Sequence, residues 1–256
     1  MALNKYKNAI VRLLEVDSTN RYTRDEAPVL WDKCGNHRGF VVITAEHQTS
    51  GRGQRGNTWN SDTGKNLLFS ILVRPGETLE VKKQFLLSQA VAIALHDAML
   101  CYEIDTQLKW PNDIYVGNRK LAGILLELDY AGAFVEQAII GIGLNINQEY
   151  FPPMDRTPVS IKMLRERDIV LDDVLATVLD LFEHYYAELR FGNRDAIATE
   201  YRRLLLGIDE RHTFIDKNGC FDGVIKGVEN DGHLIIHRTD GSLSRYAFKE
   251  VEQLIP

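Results

Sequence analysis

The sequence has few cysteines and no excess of basic residues. The three cysteines, Cys34, Cys101 and Cys220, are far apart and odd in number, which argues against a disulfide framework and a CxxC metal site. The formal net charge is -6, whereas a protein whose main partner is nucleic acid usually carries a basic excess. We therefore expect neither a disulfide-stabilised scaffold nor a DNA-binding protein.

Extended apolar stretches and targeting signals are missing too. No stretch approaches the roughly 20 apolar residues that a membrane-spanning helix needs, and residues 1–20 contain neither a long apolar segment nor a small-residue cleavage site. No internal repeat or low-complexity segment is visible. These absences favour a cytoplasmic protein that has no membrane partner.

Apolar residues are plentiful enough for a substantial core. The chain has 256 residues, 45% of them hydrophobic, which suits one main domain with room for a small second one. Apolar runs and turn residues predict strands at residues 38–45, 67–73, 104–110 and 134–146, and a hairpin of 113–116 with 119–128. Helical spacing of apolar residues predicts helices at 81–100, from Leu171 to a stop at Gly192, and at 195–205.

The pattern changes near Leu206, where turn dipeptides such as Asp231-Gly232 begin to alternate with short apolar runs. The predicted strands of this part cover residues 212–215, 223–228, 234–238 and 242–248. Their spacing suits a small barrel that is too small to be stable without leaning on the rest of the chain. We therefore expect two domains, residues 1–205 and residues 206–256.

The most informative stretch is EHQTSGRGQRGNTWNSDTGKNLLFS at residues 46–70, which places Arg52, Arg55 and Lys65 in a glycine-rich loop. Glycine lets a backbone pass close to a ligand, and arginine offers planar donors to phosphate oxygens. Trp59 offers a flat apolar face to a base ring. Neither a Walker A loop nor a GxGxxG turn is present. The loop indicates a phosphate site of another kind, and a solvated loop with a basic tip is the alternative.

A second distinctive stretch is KWPNDIYVGNRKLAGILLE at residues 109–127. Pro111 ends a strand and exposes Asn112 and Asp113 at its rim. Lys120 begins the tract KLAGILL of the return strand, which is otherwise apolar. Such a lysine either extends to solvent from the edge of a buried strand or meets a ligand there.

Glycines on the predicted strands indicate a close approach. Gly141 and Gly143 are two residues apart, so they lie on the same face of their strand and leave space above it. Gly123 gives the preceding strand the same property. We expect a ligand or another backbone to come close to these positions.

Four motifs together strongly resemble the biotin–[carboxyl-carrier] protein ligases: STN at residues 18–20, Gln48 with GRGQRGNTW, KWPND with its lysine strand, and GIGLNIN. They occur in the family order, and the resemblance covers residues 14–255. It implies an α/β (α+β) catalytic domain akin to class II aminoacyl-tRNA synthetases, with a central mixed sheet, and a small C-terminal SH3-like β-barrel. It also implies ATP and biotin as substrates, Mg²⁺ with ATP, no metal site of the protein's own, and a biotin carboxyl carrier protein or domain as partner.

The resemblance also assigns residues to each part of the site. The biotin-binding residues would be Ser18, Thr19, Asn20, Gln48, Arg52, Gly53, Gln54, Lys120, Gly123 and Leu125. The ATP- and adenylate-binding residues would be Arg52, Arg55, Trp59, Asn112, Lys120 and Asn145. From the chemistry of the reaction, we expect the catalytic residues to be Lys120, Arg52 and Asp113. Ser18 and Thr19 have a second interpretation, as the N-cap of a helix over residues 20–24.

Two features depart from the family pattern. Many members have a basic residue at the position of Gln54, which leaves open how tightly this protein retains the adenylate. Some bacterial members carry an N-terminal winged helix that binds an operator, and the stretch before Ser18 is too short for one. We therefore expect no repressor activity.

The chemistry of such a ligase suits these residue types. In the first step the biotin carboxylate attacks the α-phosphorus of ATP, and because both are anions, positioned cations must offset the charge. We expect Arg52 and Arg55 at phosphate oxygens and Lys120 where carboxylate and α-phosphate meet. In the second step a carrier lysine attacks the mixed anhydride, and Asp113 either accepts its proton or only fixes the turn. We also expect residues 51–57 to become ordered when ligand binds.

Two other functions remain as alternatives. A ligase for lipoate or octanoate would share the lysine strand but should differ in GRGQRG–W and KWPND. A non-catalytic biotin or nucleotide sensor would bind a partner through a sheet edge, although Arg52, Arg55 and Lys120 argue against it. The identity of the carrier and the oligomeric state, a homodimer included, stay open.

Overall fold

The computed structural model describes residues 2–34, 39–153 and 157–254, without the side chains of Ala2 and Arg55. These residues form a mixed α/β fold with one large mixed sheet and a second, antiparallel sheet. Within them, no helix combines the length and apolar character that crossing a bilayer requires.

The large sheet has eight strands, and the first strand of the chain lies at one edge of it. The strands are β1 (Ile10–Val16), β2 (Phe40–Gln48), β3 (Leu67–Val73), β4 (Gly76–Glu80), β5 (Gln107–Lys109), β6 (Asp113–Val116), β7 (Arg119–Ala131) and β8 (Phe134–Leu144). Their order is β1-β2-β3-β8-β7-β6-β5, and β4 pairs with β8. Strands β1 and β2 are parallel and the other pairs are antiparallel. Every residue of β3 is buried, as expected of a central strand covered on both faces.

Helices cover both faces of this sheet. They are α1 (Thr19–Cys34), α2 (Phe85–Leu100), α3 (Ile161–Arg165), α4 (Leu171–Phe191) and α5 (Arg194–Leu204). Helix α1 packs on β2 and β3, while α2 packs against α4 and α5. Alternate residues of β2 serve the two faces, because Val41 and Ile43 pack with Leu30 of α1, whereas Phe40 and Val42 join the main core.

The second sheet has five antiparallel strands in the order β12-β11-β10-β9-β13. They are β9 (Arg211–Asp216), β10 (Gly219–Val228), β11 (Leu234–Arg238), β12 (Leu243–Tyr246) and β13 (Val251–Gln253). The sheet leans on the main core, because the Trp110 and Phe248 rings are 5.4 Å apart and Trp110 Nε1 donates to the Gly232 carbonyl over 2.9 Å. Phe85 of α2 also contacts Phe248, with ring centroids 6.1 Å apart.

Several predicted elements agree with the structure to the residue or nearly so. Strands 67–73 and 234–238 and the hairpin at Gly117 are confirmed, and α4 begins at Leu171 with Gly192 at its C-cap. The last helix is one residue out at each end, as Arg194–Leu204. Strands 212–215 and 223–228 extend to Arg211–Asp216 and Gly219–Val228, whereas 242–248 shortens to Leu243–Tyr246.

Other predicted boundaries were wrong. The strand predicted at 104–110 is only Gln107–Lys109, because the chain turns at Glu103, whose φ is 55°, before it can pair. The helix predicted from 81 begins at Phe85, since Val81–Lys83 is a 3₁₀ segment. The strand predicted at 38–45 is Phe40–Gln48, and Arg38 lies outside the described residues. The strand predicted at 134–146 ends at Leu144.

Candidate active site

A cavity of about 1560 Å³ opens between the large sheet and the five-stranded sheet, and both contribute to its wall. The sequence-predicted site residues on this wall are Ser18, Thr19, Asn20, Gln48, Arg52, Gly53, Gln54, Trp59, Asn112, Asp113, Lys120, Gly123, Leu125 and Asn145. The side chain of Arg55 lies outside the described part of the structure. The four motifs, distant in sequence, therefore meet at one place.

Parallel pairing of β1 with β2 brings the first two motifs together. Val16 at the end of β1 pairs with Gln48 at the end of β2, and α1 begins just beyond, at Thr19. The backbone N–H and the hydroxyl of Thr19 both donate to Oε1 of Gln48, over 2.7 and 3.0 Å. A helix does start here, as the N-cap interpretation expected, but it runs to Cys34 and the Thr19 hydroxyl faces Gln48. We call Thr19, Asn20 and Gln48 the polar cluster.

The glycines of β7 and β8 form a flat surface beside this cluster. Gly123 pairs with Gly143, and Leu125 pairs with Gly141. A Cβ on Gly141 would lie 2.3 Å from Oδ1 of Asn20, and a Cβ on Gly143 would lie 2.3 Å from Cε2 of Trp59. The space that the glycines leave is therefore taken by Asn20 and by the indole of Trp59.

The glycine-rich loop closes on itself between Gly51 and Trp59. The backbone N–H of Trp59 donates to the Gly51 carbonyl over 2.9 Å, and the backbone N–H of Gly53 donates to the Asn57 carbonyl over 2.7 Å. Gly51 tolerates no side chain, because its Cβ would lie 2.3 Å from the Trp59 carbonyl oxygen. These bonds aim the loop and its Trp59 ring at the cavity; ordering of the loop by ligand stays a prediction.

A buried amide pair holds the far side of the same loop. Asn66 Nδ2 donates to Oε1 of Gln148 over 2.6 Å, and the Ile146 N–H donates to Oδ1 of Asn66 over 2.8 Å. The Asp62 N–H also donates to the Gln148 amide oxygen, over 3.0 Å. Because both amides are almost fully buried, the loop is anchored to the end of β8.

Two of the cations that line the cavity, Lys120 and Arg52, come from different elements. The Lys120 ammonium lies 2.7 Å from Oδ1 of Asp113 and 5.5 Å from the centre of the Trp59 ring. The Arg52 guanidinium, half-exposed, lies 3.2 Å from Oε1 of Glu127. Both cations thus line one cavity, each beside a carboxylate.

The start of β7 is held from both sides, which fixes the position of Lys120. The Lys120 N–H donates to the Thr157 carbonyl and its carbonyl accepts from the Val159 N–H, each over 2.9 Å. On the other side, Asn112 Nδ2 donates to the Ile124 carbonyl over 2.7 Å, and the Ile124 N–H donates back to the Asn112 carbonyl over 2.9 Å. The Asn112 side chain therefore ties the KWPND turn to the lysine strand.

Asn145 contributes a buried acceptor to the cavity wall. Its Nδ2 donates to the Val159 carbonyl over 3.1 Å, which fixes the amide. Its Oδ1 is buried and has no hydrogen-bond partner among the described residues. Since buried acceptors are nearly always satisfied, this oxygen is suited to a donor on a ligand.

Sequence reasoning missed residues behind the cavity wall. Ser70, on β3, contacts Thr19 and Asn20, and Glu127, on β7, contacts Asn20 and Arg52. Ser70 was detectable in principle, because it is the only polar residue of LLFSILV. Glu127 had no such signal, since its partners are distant in sequence.

A grouping of potential metal ligands lies at the β10–β11 turn, with Glu229, Asp231 and His233 close together. The Arg245 guanidinium already contacts the carboxylates of Glu229 and Asp231. The negative charge is therefore balanced by a side chain, and the grouping is not evidence for an ion.

Fold and cavity together define an α/β protein whose cleft is lined by Arg52, Lys120 and the polar cluster. The model of the Biotin/lipoate A/B protein ligase family matches residues 16–145. A Biotin--[acetyl-CoA-carboxylase] ligase of Paracoccus denitrificans is 30% identical over 241 residues, which are 90% of this chain and 94% of that protein. The Bifunctional ligase/repressor BirA of Bacillus spizizenii is also 30% identical, over 81% of this chain and 64% of that protein.

Among solved structures, the Biotin protein ligase from Aquifex aeolicus in complex with biotin and ATP has a similar fold. The TM-score is 0.78 at 24% identity, over 96% of this chain and 99% of that one. The chain belongs to the biotin/lipoate A/B protein ligase family and is a relative of its biotin protein ligases. It spans just under two thirds, 64%, of the length of the BirA proteins from Bacillus.

Proposed function

We propose that this protein is an ATP-dependent biotin–protein ligase. It forms biotinyl-5′-AMP from biotin and ATP, and then transfers biotin to a lysine of a biotin carboxyl carrier protein or domain. The observation that carries this proposal is that Arg52 and Lys120, from two separate motifs, line one cavity with the polar cluster. The names of the relatives support the same activity.

The order of residues along β8 and just beyond its end suggests how the ligand lies. Gly141, Gly143 and Asn145 follow each other at every second position and span four residues, or roughly 13 Å at about 3.3 Å per residue. Asn20 lies over the first glycine and Trp59 over the second. An elongated ligand would place its ureido head at the polar cluster, its acyl–phosphate junction near Lys120, and its nucleotide near Trp59 and Asn145.

Hydrogen-bonding chemistry supports this orientation. A ureido head has N–H donors and a carbonyl acceptor, which match the hydroxyls of Ser18 and Thr19 and the amide of Gln48. An adenosine has amino and hydroxyl donors, which match the unpartnered Oδ1 of Asn145. The backbone of Gly53, Gln54, Gly123 and Leu125 borders the ligand between these ends in the proposed arrangement.

In the first step, an oxygen of the biotin carboxylate forms a bond to the α-phosphorus, and the bond from that phosphorus to the pyrophosphate oxygen breaks. Lys120 is a compact charge suited to the junction, whereas Arg52 can hold two phosphate oxygens at once. We assign Arg55 to phosphate as well. Mg²⁺ enters as part of the substrate, bound to the phosphates of ATP. The contribution of this chain is to orient two anions and offset their repulsion.

In the second step, the amine of a carrier lysine forms a bond to the acyl carbon and AMP leaves. The amine must lose a proton, and Asp113 is the candidate base that lines the cavity. Its Oδ1 lies 2.7 Å from the Lys120 ammonium, so Asp113 also positions the lysine of the first step. We propose positioning as the first role of Asp113 and proton acceptance as the second.

The finer fold assignment belongs to the same proposal. We infer a class II aminoacyl-tRNA synthetase-like catalytic domain in residues 1–205 and an SH3-like domain in residues 206–256. The helix Arg194–Leu204 and the first strand of the second sheet, Arg211–Asp216, lie on either side of that boundary. Because both parts line the cavity, we expect the second domain to take part in binding.

Biotin-dependent exchange of labelled pyrophosphate into ATP tests the proposal. Exchange with biotin but not lipoate or octanoate supports it, and exchange with lipoate or octanoate would replace it with the related acyl ligase activity. Binding of biotin without exchange would indicate a sensor instead. Transfer is then measured with a biotin carboxyl carrier domain, and a domain whose acceptor lysine is changed to arginine is the control.

A further inference from the structure

Two polar side chains lie behind the cavity wall and contact its residues without lining the cavity themselves. They are Ser70 on β3 and Glu127 on β7. Ser70 is fully buried, and the side chain of Glu127 is 18% exposed. A polar group in such a place normally exists to satisfy or orient other polar groups.

Ser70 connects two members of the polar cluster. Its hydroxyl oxygen lies 2.8 Å from Oγ1 of Thr19 and 2.6 Å from Oδ1 of Asn20. The approach of Asn20 is possible because Ser70 pairs with Gly141, the residue that has no side chain to block it. Ser70 therefore fixes both Thr19 and Asn20 from below.

Glu127 connects the polar cluster to the loop arginine. Its Oε2 accepts from Nδ2 of Asn20 over 3.0 Å, and its Oε1 lies 3.2 Å from Nη2 of Arg52. Asn20 is thereby held at both ends, since its amide oxygen meets Ser70 and its amide nitrogen meets Glu127 and the Leu125 carbonyl. One carboxylate thus orients an amide of the cluster and a cation of the loop.

We propose that Ser70 and Glu127 are positioning residues of the adenylation site. They join Gln48, Thr19 and Asn20 to Arg52 through hydrogen bonds and one ion pair, so that the loop arginine is held near the acyl–phosphate junction before ATP arrives. This inference rests on the proposed ligase function.

The physical basis is preorganisation. An arginine side chain is long and flexible, and it loses rotamer freedom when it grips an anion. A carboxylate that already holds one nitrogen of the guanidinium reduces that loss and leaves the other donors of the planar group for phosphate oxygens. Because the same carboxylate also contacts Asn20, a shift of the polar cluster changes the position of the Arg52 guanidinium.

The test of Glu127 is a double-mutant cycle with Arg52. Glu127→Ala should lower the kcat of biotin-dependent pyrophosphate exchange about tenfold, and Glu127→Gln, which keeps one acceptor oxygen for Asn20 or Arg52, should recover part of it. Affinity for a non-hydrolysable sulfamoyl analogue of biotinyl-AMP is measured for Glu127→Ala, Arg52→Ala and the double variant. We expect Glu127→Ala to weaken binding about tenfold in the parent and by a smaller factor in the Arg52→Ala background, where only the Asn20 contact of Glu127 is left to lose. Glu136→Ala, at an exposed position of β8, is the matched control.

The test of Ser70 uses the difference between the two substrates. Ser70→Ala should raise the KM for biotin about fivefold to tenfold and the KM for ATP by a smaller factor, because its direct contacts are on the biotin side and it reaches Arg52 only through Asn20 and Glu127. Ser88→Ala, at a buried serine of α2, controls for a general effect of losing a buried hydroxyl.

The outcomes separate this inference from the function on which it rests. Equal losses of analogue affinity from Glu127→Ala with and without Arg52, or unchanged exchange in both Glu127→Ala and Ser70→Ala, would overturn the positioning roles alone. Absence of biotin-dependent exchange in the unmodified protein would overturn the proposed function, and this inference with it.

Discussion

The Lys120 ammonium lies 2.7 Å from Oδ1 of Asp113, and both side chains are on the cavity wall. The Asp113 side chain is 9% exposed and that of Lys120 is 25% exposed. A pair this sheltered is screened little by solvent, so each partner depends on the other. The same lysine therefore has a structural partner and a proposed catalytic role.

Lys120→Ala should reduce pyrophosphate exchange about a hundredfold or more, because it removes a cation aimed at charge that develops in the transition state. It should also lower the free energy of unfolding by about 1–3 kcal/mol, because it removes a cation that lies 2.7 Å from the sheltered Asp113 carboxylate. Urea unfolding and exchange assays measure the two effects. Adding Asp113→Asn should restore stability but not activity, and Lys7→Ala, at an exposed position, is the control. Undiminished exchange in Lys120→Ala would refute the catalytic assignment.

Asp113→Asn alone distinguishes the two roles proposed for that residue. If Asp113 mainly positions Lys120, the variant should lose about tenfold in pyrophosphate exchange and also in transfer from preformed biotinyl-AMP. A base needed only for the carrier amine would give normal exchange with slow transfer. Asp129→Asn changes another carboxylate of strand β7 and should leave both the exchange step and the transfer step intact. We expect the first pattern, because the carboxylate oxygen already faces the lysine.

The glycines under Trp59 allow a graded test of the cavity floor. A Cβ on Gly143 would lie 2.3 Å from the indole, whereas one on Gly123 would lie 3.1 Å from it. Neither residue has a positive φ, so the effect of alanine is steric rather than conformational. Gly143→Ala should raise the KM for ATP at least about tenfold and shift tryptophan fluorescence, with a smaller effect from Gly123→Ala. Equal effects on biotin and ATP binding would contradict the proposed position of Trp59.

The parts of the fold and of the candidate site that the sequence predicts are those whose patterns involve residues close together in the chain. The hairpin around Gly117 and the spacing of Gly141 and Gly143 are local patterns, and the structure places them as expected. The chain-wide resemblance supplied the residues around the cavity, but it could not supply their partners. The Glu127 contact with Arg52 depends on how β7 lies beside the glycine-rich loop, which no spacing rule contains.

The elements that were not predicted have weak periodic signals. Strand β1 is an edge strand whose side chains are mostly half-buried or exposed, so it has no clear alternation. Helix α1 buries only Thr19, Asn20, Thr23, Ala27 and Leu30, three of which are polar residues. The sequence indicated this helix only as an alternative, over residues 20–24, and its full length was missed because site residues occupy positions where apolar ones would have revealed it.

The second wall of the cavity contains a carboxylate that three donors surround. Asp216 accepts from the Asn218 N–H over 2.8 Å and from the Tyr246 hydroxyl over 2.9 Å, and it pairs with the Arg238 guanidinium. The Asn218 N–H is the largest of the influences that lower the pKa of Asp216 below its ordinary value, and the Tyr246 and Arg238 contacts act in the same direction. This group therefore links the stability of the second sheet to pH.

Asp216→Asn should destabilise the protein at neutral pH and make that loss vanish in acid. Because the folded-state pKa of Asp216 is lowered, its carboxylate contributes stability that is complete above the unfolded value of about 3.9 and is lost as pH falls through the folded pKa. Urea unfolding of parent and variant should give a constant difference between about pH 5 and pH 7, which begins to shrink below about pH 4 and vanishes once the pH is below the folded-state pKa of Asp216. In a Tyr246→Phe background, where one donor to the carboxylate is removed, Asp216→Asn should cause a smaller loss in the free energy of unfolding, but still a loss. If the difference in the free energy of unfolding persisted unchanged at low pH, the asparagine side chain of the variant would be disturbing the packing. The charge of Asp216 would then not be what stabilises this wall of the cavity.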